Sequence, residues 1–189
     1  LTCSNVLTVP PSEALQELGR QMGFTVAGVA PLEVEGRVVG STQIRQALAQ
    51  GDVARAARLL GRLFSLEGRV IMGQGRGRKL GFPTANLQVD PSLVIPADGI
   101  YATWAAMQGQ RRVSATSIGV RPTFGPGERT VETYISDFTG DLYGQELRLE
   151  FVSRLRDEQR FQSPEALVAQ MRQDVAQAQR ALTSVPAPR

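Results

Sequence analysis

Two short stretches concentrate the residue types that handle phosphate and hydroxyl groups. The first runs Gly73-Gln74-Gly75-Arg76-Gly77-Arg78-Lys79-Leu80-Gly81-Phe82-Pro83-Thr84-Ala85-Asn86. Its glycines at 73, 75, 77 and 81 let backbone approach a ligand closely and offer N–H donors to phosphate oxygens. Arg76, Arg78 and Lys79 add cations. A Gly-rich basic loop by itself equally describes a flexible hairpin tip, and it is not a Walker loop, since no Gly-Lys-Ser/Thr ending precedes a helix. Thr84 and Asn86 stand two places apart. In an extended segment their hydroxyl and amide oxygens face the same side. Mg²⁺ takes oxygen ligands, keeps waters and completes its shell with phosphate oxygens, so the pair suits a metal–nucleotide unit. The alternative is a turn in which Asn86 bonds its own backbone.

The second stretch is Thr130-Val131-Glu132-Thr133-Tyr134-Ile135-Ser136-Asp137-Phe138. Glu132 falls mid-strand, where charged residues are depleted. Alternation puts Glu132, Tyr134 and Ser136 on one face and Val131, Thr133 and Ile135 on the other. A carboxylate projecting from a rigid strand can take a proton from an alcohol. A solvent-facing or Arg-paired carboxylate would look the same locally.

Composition narrows the chemistry. The 189 residues contain no histidine, which excludes Ser-His-Asp catalysis, His-ligated zinc and any imidazole base. Proton transfer must use carboxylate, Lys or Tyr. Cys3 is the one cysteine, so no internal disulfide forms, and the expectation is a reducing cytoplasm. No apolar run approaches the roughly 20 residues that span a bilayer, and residues 1–10 show no secretory pattern. A formal charge of +3 is a small excess, read as a mildly basic surface. The chain begins with Leu1, as a processed chain or a fragment would.

The elements that must position these residues fall into two textures. Ser12 is placed to cap a helix carrying Leu15, Leu18 and Met22, stopped by Gly23, with a strand expected over Phe24–Ala30. Ser41 or Thr42 caps a second helix with Ile44 and Leu48; Gly51 ends it. Asp52 caps a third with Val53, Ala56, Ala57 and Leu60. This pair has the outline of a helix-turn-helix, an outline many αα-hairpins share. From Leu66 the pattern becomes β-rich: Gly68–Gly73, Ile100–Met107, Arg112–Gly119, Thr130–Phe138 and Leu147–Ser153. Gln108-Gly109-Gln110 makes a hairpin of the second and third. Strands without intervening helices argue for an antiparallel barrel or sandwich. Ser163, Pro164 and Glu165 open a last helix with an apolar stripe of Leu167, Val168, Met171, Val175, Ala178 and Leu182. Residues 184–189 read as a disordered tail.

These motifs together resemble the riboflavin kinases. In that family a Gly-rich segment runs into Pro-Thr-Ala-Asn, as Gly73–Asn86 does here. Asp98-Gly99-Ile100-Tyr101-Ala102, Ile118-Gly119-Val120-Arg121-Pro122-Thr123-Phe124, Val131-Glu132 with Asp137-Phe138, and Asp141-Leu142-Tyr143-Gly144 follow in the family's order. Leu155-Arg156 with Phe161 and the closing helix complete the match, over about Leu60 to Leu182. The resemblance implies a mainly β fold: a small antiparallel Greek-key barrel of six strands with a C-terminal helix, spanning residues 62–183. It implies transfer of the γ-phosphate of ATP to riboflavin, giving FMN and ADP. Gly73, Gly75, Arg76, Gly77 and Lys79 would cover the ATP phosphates. Thr84 and Asn86 would hold Mg²⁺ with the phosphates. Glu132 would be the base for the ribityl hydroxyl. Arg156 and Phe161 would belong to a mobile segment of little regular structure closing over the flavin. The partners implied are small molecules, with no nucleic acid and no membrane. Two other readings stand beside it: a basic β-barrel that binds nucleic acid, and an inactive flavin-binding regulatory domain. The low aromatic content, 6%, speaks against the former, and the presence of Thr84, Asn86 and Glu132 against the latter.

The front of the chain is similar to something else. Gly40-Ser41-Thr42-Gln43-Ile44-Arg45 resembles the Ser-Ser-Thr-x-Ile-Arg motif that ends the FMN adenylyltransferase domain of bacterial bifunctional FAD synthetases, departing from it at Gly40. There Ser41, Thr42 and Arg45 would lie near nucleotide phosphates. Residues 1–61 are thus read as a short α/β remnant of that domain. Its His-x-Gly-His segment has no counterpart in a chain without histidine. Given FMN and ATP, this chain is therefore expected to form no FAD above a no-enzyme control; FAD accumulation in a preparation free of host enzyme would contradict this.

Overall fold

The computed structural model describes residues 13–27, 30–34, 36–73, 75–120 and 129–183, without the side chains of Arg37, Arg76 and Lys79. Ser12, the 184–189 tail and the Arg121-Pro122-Thr123-Phe124 motif lie outside the described residues.

Alternation of apolar and polar residues builds six strands: β3 (Phe64–Ile71), β4 (Thr84–Val89), β5 (Gly99–Met107), β6 (Gln110–Val120), β7 (Arg129–Ile135) and β8 (Glu146–Arg156). Every pairing among them is antiparallel, and they close into a barrel of order β3-β4-β7-β6-β5-β8. Strand β4 neighbours β3 and β7, so the chain crosses the barrel before starting β5, which is a Greek-key connection. Gln108 and Gly109 both have positive φ, 49° and 76°. That is the conformation a two-residue hairpin needs to match strand twist.

The lumen follows from the register. Val70, Leu87, Val131, Ile118, Leu149 and Phe151 point inward and are almost fully buried. Thr103, Ser114, Thr116 and Thr133 are buried there too, which is costly without hydrogen bonds. They satisfy one another. Thr103 Oγ1 lies 2.7 Å from both Ser114 Oγ and Thr116 Oγ1, and Thr116 donates to Thr133 Oγ1 at 2.9 Å.

Helices α2 (Ser41–Ala49) and α3 (Val53–Leu60) join the same core through Ala47, Leu48, Val53 and Ala56. Asp52 caps α3, accepting from the Arg55 amide at 2.9 Å. Between the two helices, Gly51 has φ 76°, and a Cβ there would meet Arg154 and the Tyr101 hydroxyl at 2.9 Å. Helix α5 (Pro164–Thr183) lies on the outer wall, where Ala178 and Leu182 pack with Ala102 and Val152 and are flanked by Trp104 and Leu155. Ser163 caps it, its Oγ accepting from the Ala166 amide at 3.2 Å.

Two compact units result, residues Leu1–Gly40 and Ser41–Arg189. The first holds α1 (Glu13–Met22) and a minimal hairpin of β1 (Glu33–Val34) and β2 (Arg37–Val38). The expected strand over Phe24–Ala30 is not formed by Phe24–Ala27 or Ala30, and residues 28–29 are outside the described set. Phe24 turns back instead, its amide donating to the Gly19 carbonyl at 3.0 Å. The second unit corrects two further expectations. Arg156 ends a regular strand rather than lying in an irregular lid, and the Gly-rich segment contains a helical turn, α4 (Arg76–Lys79).

Replacing Thr103 with Val keeps the shape but removes the hydroxyl at the centre of the lumen chain. The expected cost is about 1–3 kcal/mol, measured as a fall in melting temperature with the far-ultraviolet circular dichroism unchanged.

Candidate active site

Register carries Glu132 to its position. On β7, Val131, Thr133 and Ile135 are buried in the barrel, while Glu132 and Tyr134 are half-buried on the outer wall. Thr84 pairs with Tyr134 and Asn86 with Glu132 across the β4–β7 ladder. Ser117 pairs with Glu132 on the other side. Asn86, Glu132, Ser117, Ile100 and Arg156 therefore form one outward row across five strands. Thr84 and Asn86 do share a face. The face does not continue to Ser136, because β7 ends at Ile135; Asp137 then takes φ 52°.

Two cavities meet at Thr84. One, of about 340 Å³, opens at the barrel mouth and is lined by inward-facing Val70, Ala85, Thr133 and Ile135, with Arg78, Phe138 and Tyr143 at its sides. The other, of about 380 Å³, lies on the outer wall. Leu80, Ile100, Phe161, Leu167, Met171 and Val175 give it apolar sides; its polar groups include Ser117, Glu132, Tyr134, Arg156, Glu158, Gln159 and Asp174. Thr84, the first residue of β4, lines both. Its hydroxyl donates towards Glu132 Oε2 at 3.5 Å.

The Gly-rich turn sits at this junction because its glycines have no side chain. A Cβ on Gly77 would collide with the Phe82 carbonyl and come within 3.3 Å of Thr84 Oγ1. One on Gly73 would run into the Asn86 amide. Phe82 anchors the turn, its amide bonded to the Gly77 carbonyl at 2.8 Å and its ring 5.1 Å from that of Tyr134. Gly75, at φ 66°, is exposed ahead of α4. The side chains of Arg76 and Lys79 lie outside the described atoms, so the cation seen at the first cavity is Arg78. Asn86 is buried beneath Gly73 and lines neither cavity.

In the lining of the second cavity Arg156 is paired with Asp174 of α5, and its guanidinium carbon stands 5.8 Å from the Phe161 ring centre. Arg156 and Phe161 are thus brought together with Glu132 in one cavity. Glu158 rests its carboxylate on Gly119. Burial pushes that carboxyl above the ordinary carboxylate range, Asp98 adds to the shift, and Arg156 opposes it. Ser41, Thr42 and Arg45 stand apart from both cavities. Ser41 and Thr42 are exposed on the first turn of α2, and Arg45, also exposed, reaches back to Ser41 Oγ at 3.4 Å.

Sequence reasoning named Thr84, Glu132, Arg156 and Phe161 and placed Tyr134 on the Glu132 face without giving it a role; it missed Ser117, Glu158 and Asp174. Asp174 carried a signal: an acid in the apolar stripe of α5, three places after Met171 and four before Ala178. The donors around Thr84 are oxygens, and among the described residues no three His, Cys, Asp or Glu side chains cluster to hold a metal. A hard cation brought in with nucleotide phosphates fits that donor set.

A family description, Flavokinase: riboflavin kinase, matches residues 60–182. A bifunctional riboflavin kinase/FMN adenylyltransferase from Pseudomonas fluorescens is 46% identical over 176 residues, covering 93% of this chain and 56% of that protein. One from Escherichia coli K12 is 36% identical over 161 residues, covering 85% and 51%. The chain spans about half the length of these curated relatives. A solved structure described as a macrolide-efflux protein from Streptococcus pneumoniae is similar at a TM-score of 0.77 and 35% identity, over 87% of this chain and 54% of that one.

Proposed function

Because the chain belongs to the riboflavin kinase family, we propose that it moves the γ-phosphoryl group of ATP onto the terminal ribityl hydroxyl of riboflavin, giving FMN and ADP. The observation that carries the mechanism is the shared position of Thr84 between two cavities, with Glu132 beside it. The nucleotide occupies the mouth cavity, where Arg78 offers charge and Tyr143 an exposed ring. Riboflavin occupies the outer-wall cavity, whose mixture of apolar sides and few polar groups suits a flat heteroaromatic ring with a polyol tail. The γ-phosphate and the ribityl hydroxyl then meet at Thr84.

Phosphoryl transfer needs positioning and charge stabilisation more than covalent chemistry. Glu132 orients the ribityl hydroxyl and accepts its proton as the phosphoryl group arrives. Thr84 holds the phosphate end by its hydroxyl. Asn86, next on the same face, supports that end from beneath Gly73. Family membership implies a divalent ion, and Mg²⁺ is the ion we propose, with the Thr84 hydroxyl as its protein-side oxygen; Asn86, buried beneath Gly73, would join it only once the Gly-rich turn shifts to uncover its amide oxygen. Bound with the nucleotide, it would neutralise charge on the phosphate oxygens. The backbone of Gly73, Gly75 and Gly77 allows this close approach, and Arg76 and Lys79 belong to the same turn.

Residues 1–61 we assign by their sequence to the C-terminal end of an adenylyltransferase domain, although α2 and α3 pack in the core of the barrel unit; exposed Ser41, Thr42 and Arg45 would face nucleotide phosphates in that domain. The parent protein would then also make FAD from FMN. A nucleic-acid-binding barrel is not favoured, since Phe82 and Tyr101 are buried rather than displayed for base stacking. No helix among the described residues is long and apolar enough to cross a membrane; we place the activity in the cytoplasm, with riboflavin and ATP as its small-molecule partners.

Glu132→Gln keeps size and removes basicity. Loss of a positioned base costs about 10²–10⁴ in rate. The turnover number for FMN, followed by chromatography, should fall by that order while riboflavin and Mg²⁺–ATP still bind. Near wild-type turnover would make Glu132 a structural strand residue.

A further inference from the structure

The guanidinium of Arg156 has three attachments. Its Nε and Nη2 donate to the two carboxylate oxygens of Asp174 at 2.8 and 2.7 Å. Its Nη1 donates to the Asp157 carbonyl at 2.8 Å. Its carbon stands 5.8 Å from the centre of the Phe161 ring. Gln170, one turn earlier on α5, adds a 2.9 Å bond to Asp174 Oδ1. Asp174 is only 4% exposed.

Such a pair is a poor device for stability. Removing two charges from water costs about as much as their attraction returns, and well-packed apolar side chains would serve as well or better. The neighbours of Asp174 along the stripe, Met171, Val175 and Ala178, are already apolar. What the pair does supply is direction. A bidentate contact fixes the plane of a guanidinium in a way that a single contact does not.

We infer that Asp174 is a positioning residue for the outer-wall cavity: it aims Arg156, and through Arg156 it holds residues 157–161, with Phe161, as the rim of the riboflavin site. This rests on the reading that the cavity takes riboflavin. The pairing has a consequence for what the cavity accepts. With its charge matched by Asp174, Arg156 presents an aimed but neutralised surface, suited to the uncharged isoalloxazine ring rather than to an anion. The rim is then tied to α5 and not only to the strand it leaves.

The test uses the whole chain with Asp174→Asn and Asp174→Glu. Loss of the bidentate pair should raise the KM for riboflavin by about tenfold or more, the size of effect that one lost charge-assisted contact carries. The KM for ATP should not move. Amide hydrogen exchange should quicken across residues 157–161 and stay unchanged in the barrel strands, and Asp174→Glu should recover part of both effects. A purely structural role would shift both KM values together or neither, and would quicken exchange along all of α5; either result overturns the inference. If Asp174→Asn does not fold, the Arg156→Met/Asp174→Met double variant removes the stranded charge. It should fold and still show the raised riboflavin KM and the fast rim; a wild-type riboflavin KM in that variant would overturn the inference. A wild-type chain that makes no FMN would instead bring down the cavity assignment, and the inference with it.

Discussion

The register between β4 and β7 is the constraint on which the site depends. It pairs Thr84 with Tyr134 and Asn86 with Glu132, and so puts a hydroxyl, an amide and a carboxylate on one face of a closed sheet. A one-residue slip of β7 would turn Glu132 and Tyr134 into the lumen and bring Val131 and Thr133 out, parting the carboxylate from Thr84 and Asn86. The lumen prevents that slip. Val131, Thr133, Ile135 and Leu87 are committed to the interior, and Thr133 is also bonded to Thr116. The apolar core and the hydroxyl chain thus hold Glu132 outward without touching it.

Closure of the barrel makes two environments from one wall. Inward-facing residues end at the mouth, where the first cavity lies; outward-facing ones meet α5, where the second lies. Thr84 begins β4 at the rim and belongs to both. The glycines of the preceding turn complete the junction by leaving room over Thr84 and Asn86, which a Cβ at Gly77 or Gly73 would fill. Strands then hold Thr84 and Glu132, while two pieces outside the strands, residues 157–161 and the Gly-rich turn, border the cavities. That division fits a reaction in which positioning carries most of the barrier reduction.

Much of this was legible in the sequence because it depends on local rules. Alternation placed Glu132 and Tyr134 together, Asp52 and Ser163 announced their helices, and Gln108-Gly109 announced a hairpin. The ordered motifs pointed to a six-stranded barrel, which the structure has. What was not legible depends on long-range packing. The apolar run from Phe24 is irregular over Phe24–Ala27, because Phe24 turns back to bond the Gly19 carbonyl. Strand β4, hidden behind a glycine-rich turn, was read only as an extended segment. Arg156 looked like part of a lid because nothing local says that β8 extends to it or that Asp174, eighteen residues on, will meet it. The outer-wall cavity itself exists only because α5 returns to the barrel.

The central claim is that donor and acceptor bind in separate cavities that meet at Thr84. Amide and methyl NMR of the isotope-labelled chain, titrated separately with riboflavin and with a non-hydrolysable Mg²⁺–ATP analogue, tests it directly. Riboflavin should perturb Ile100, Phe161, Met171 and Val175; the analogue should perturb Val70, Arg78, Phe138 and Tyr143; Thr84 should respond to both. Perturbation of the same cavity by both ligands, or a Thr84 that responds to neither, would contradict the account.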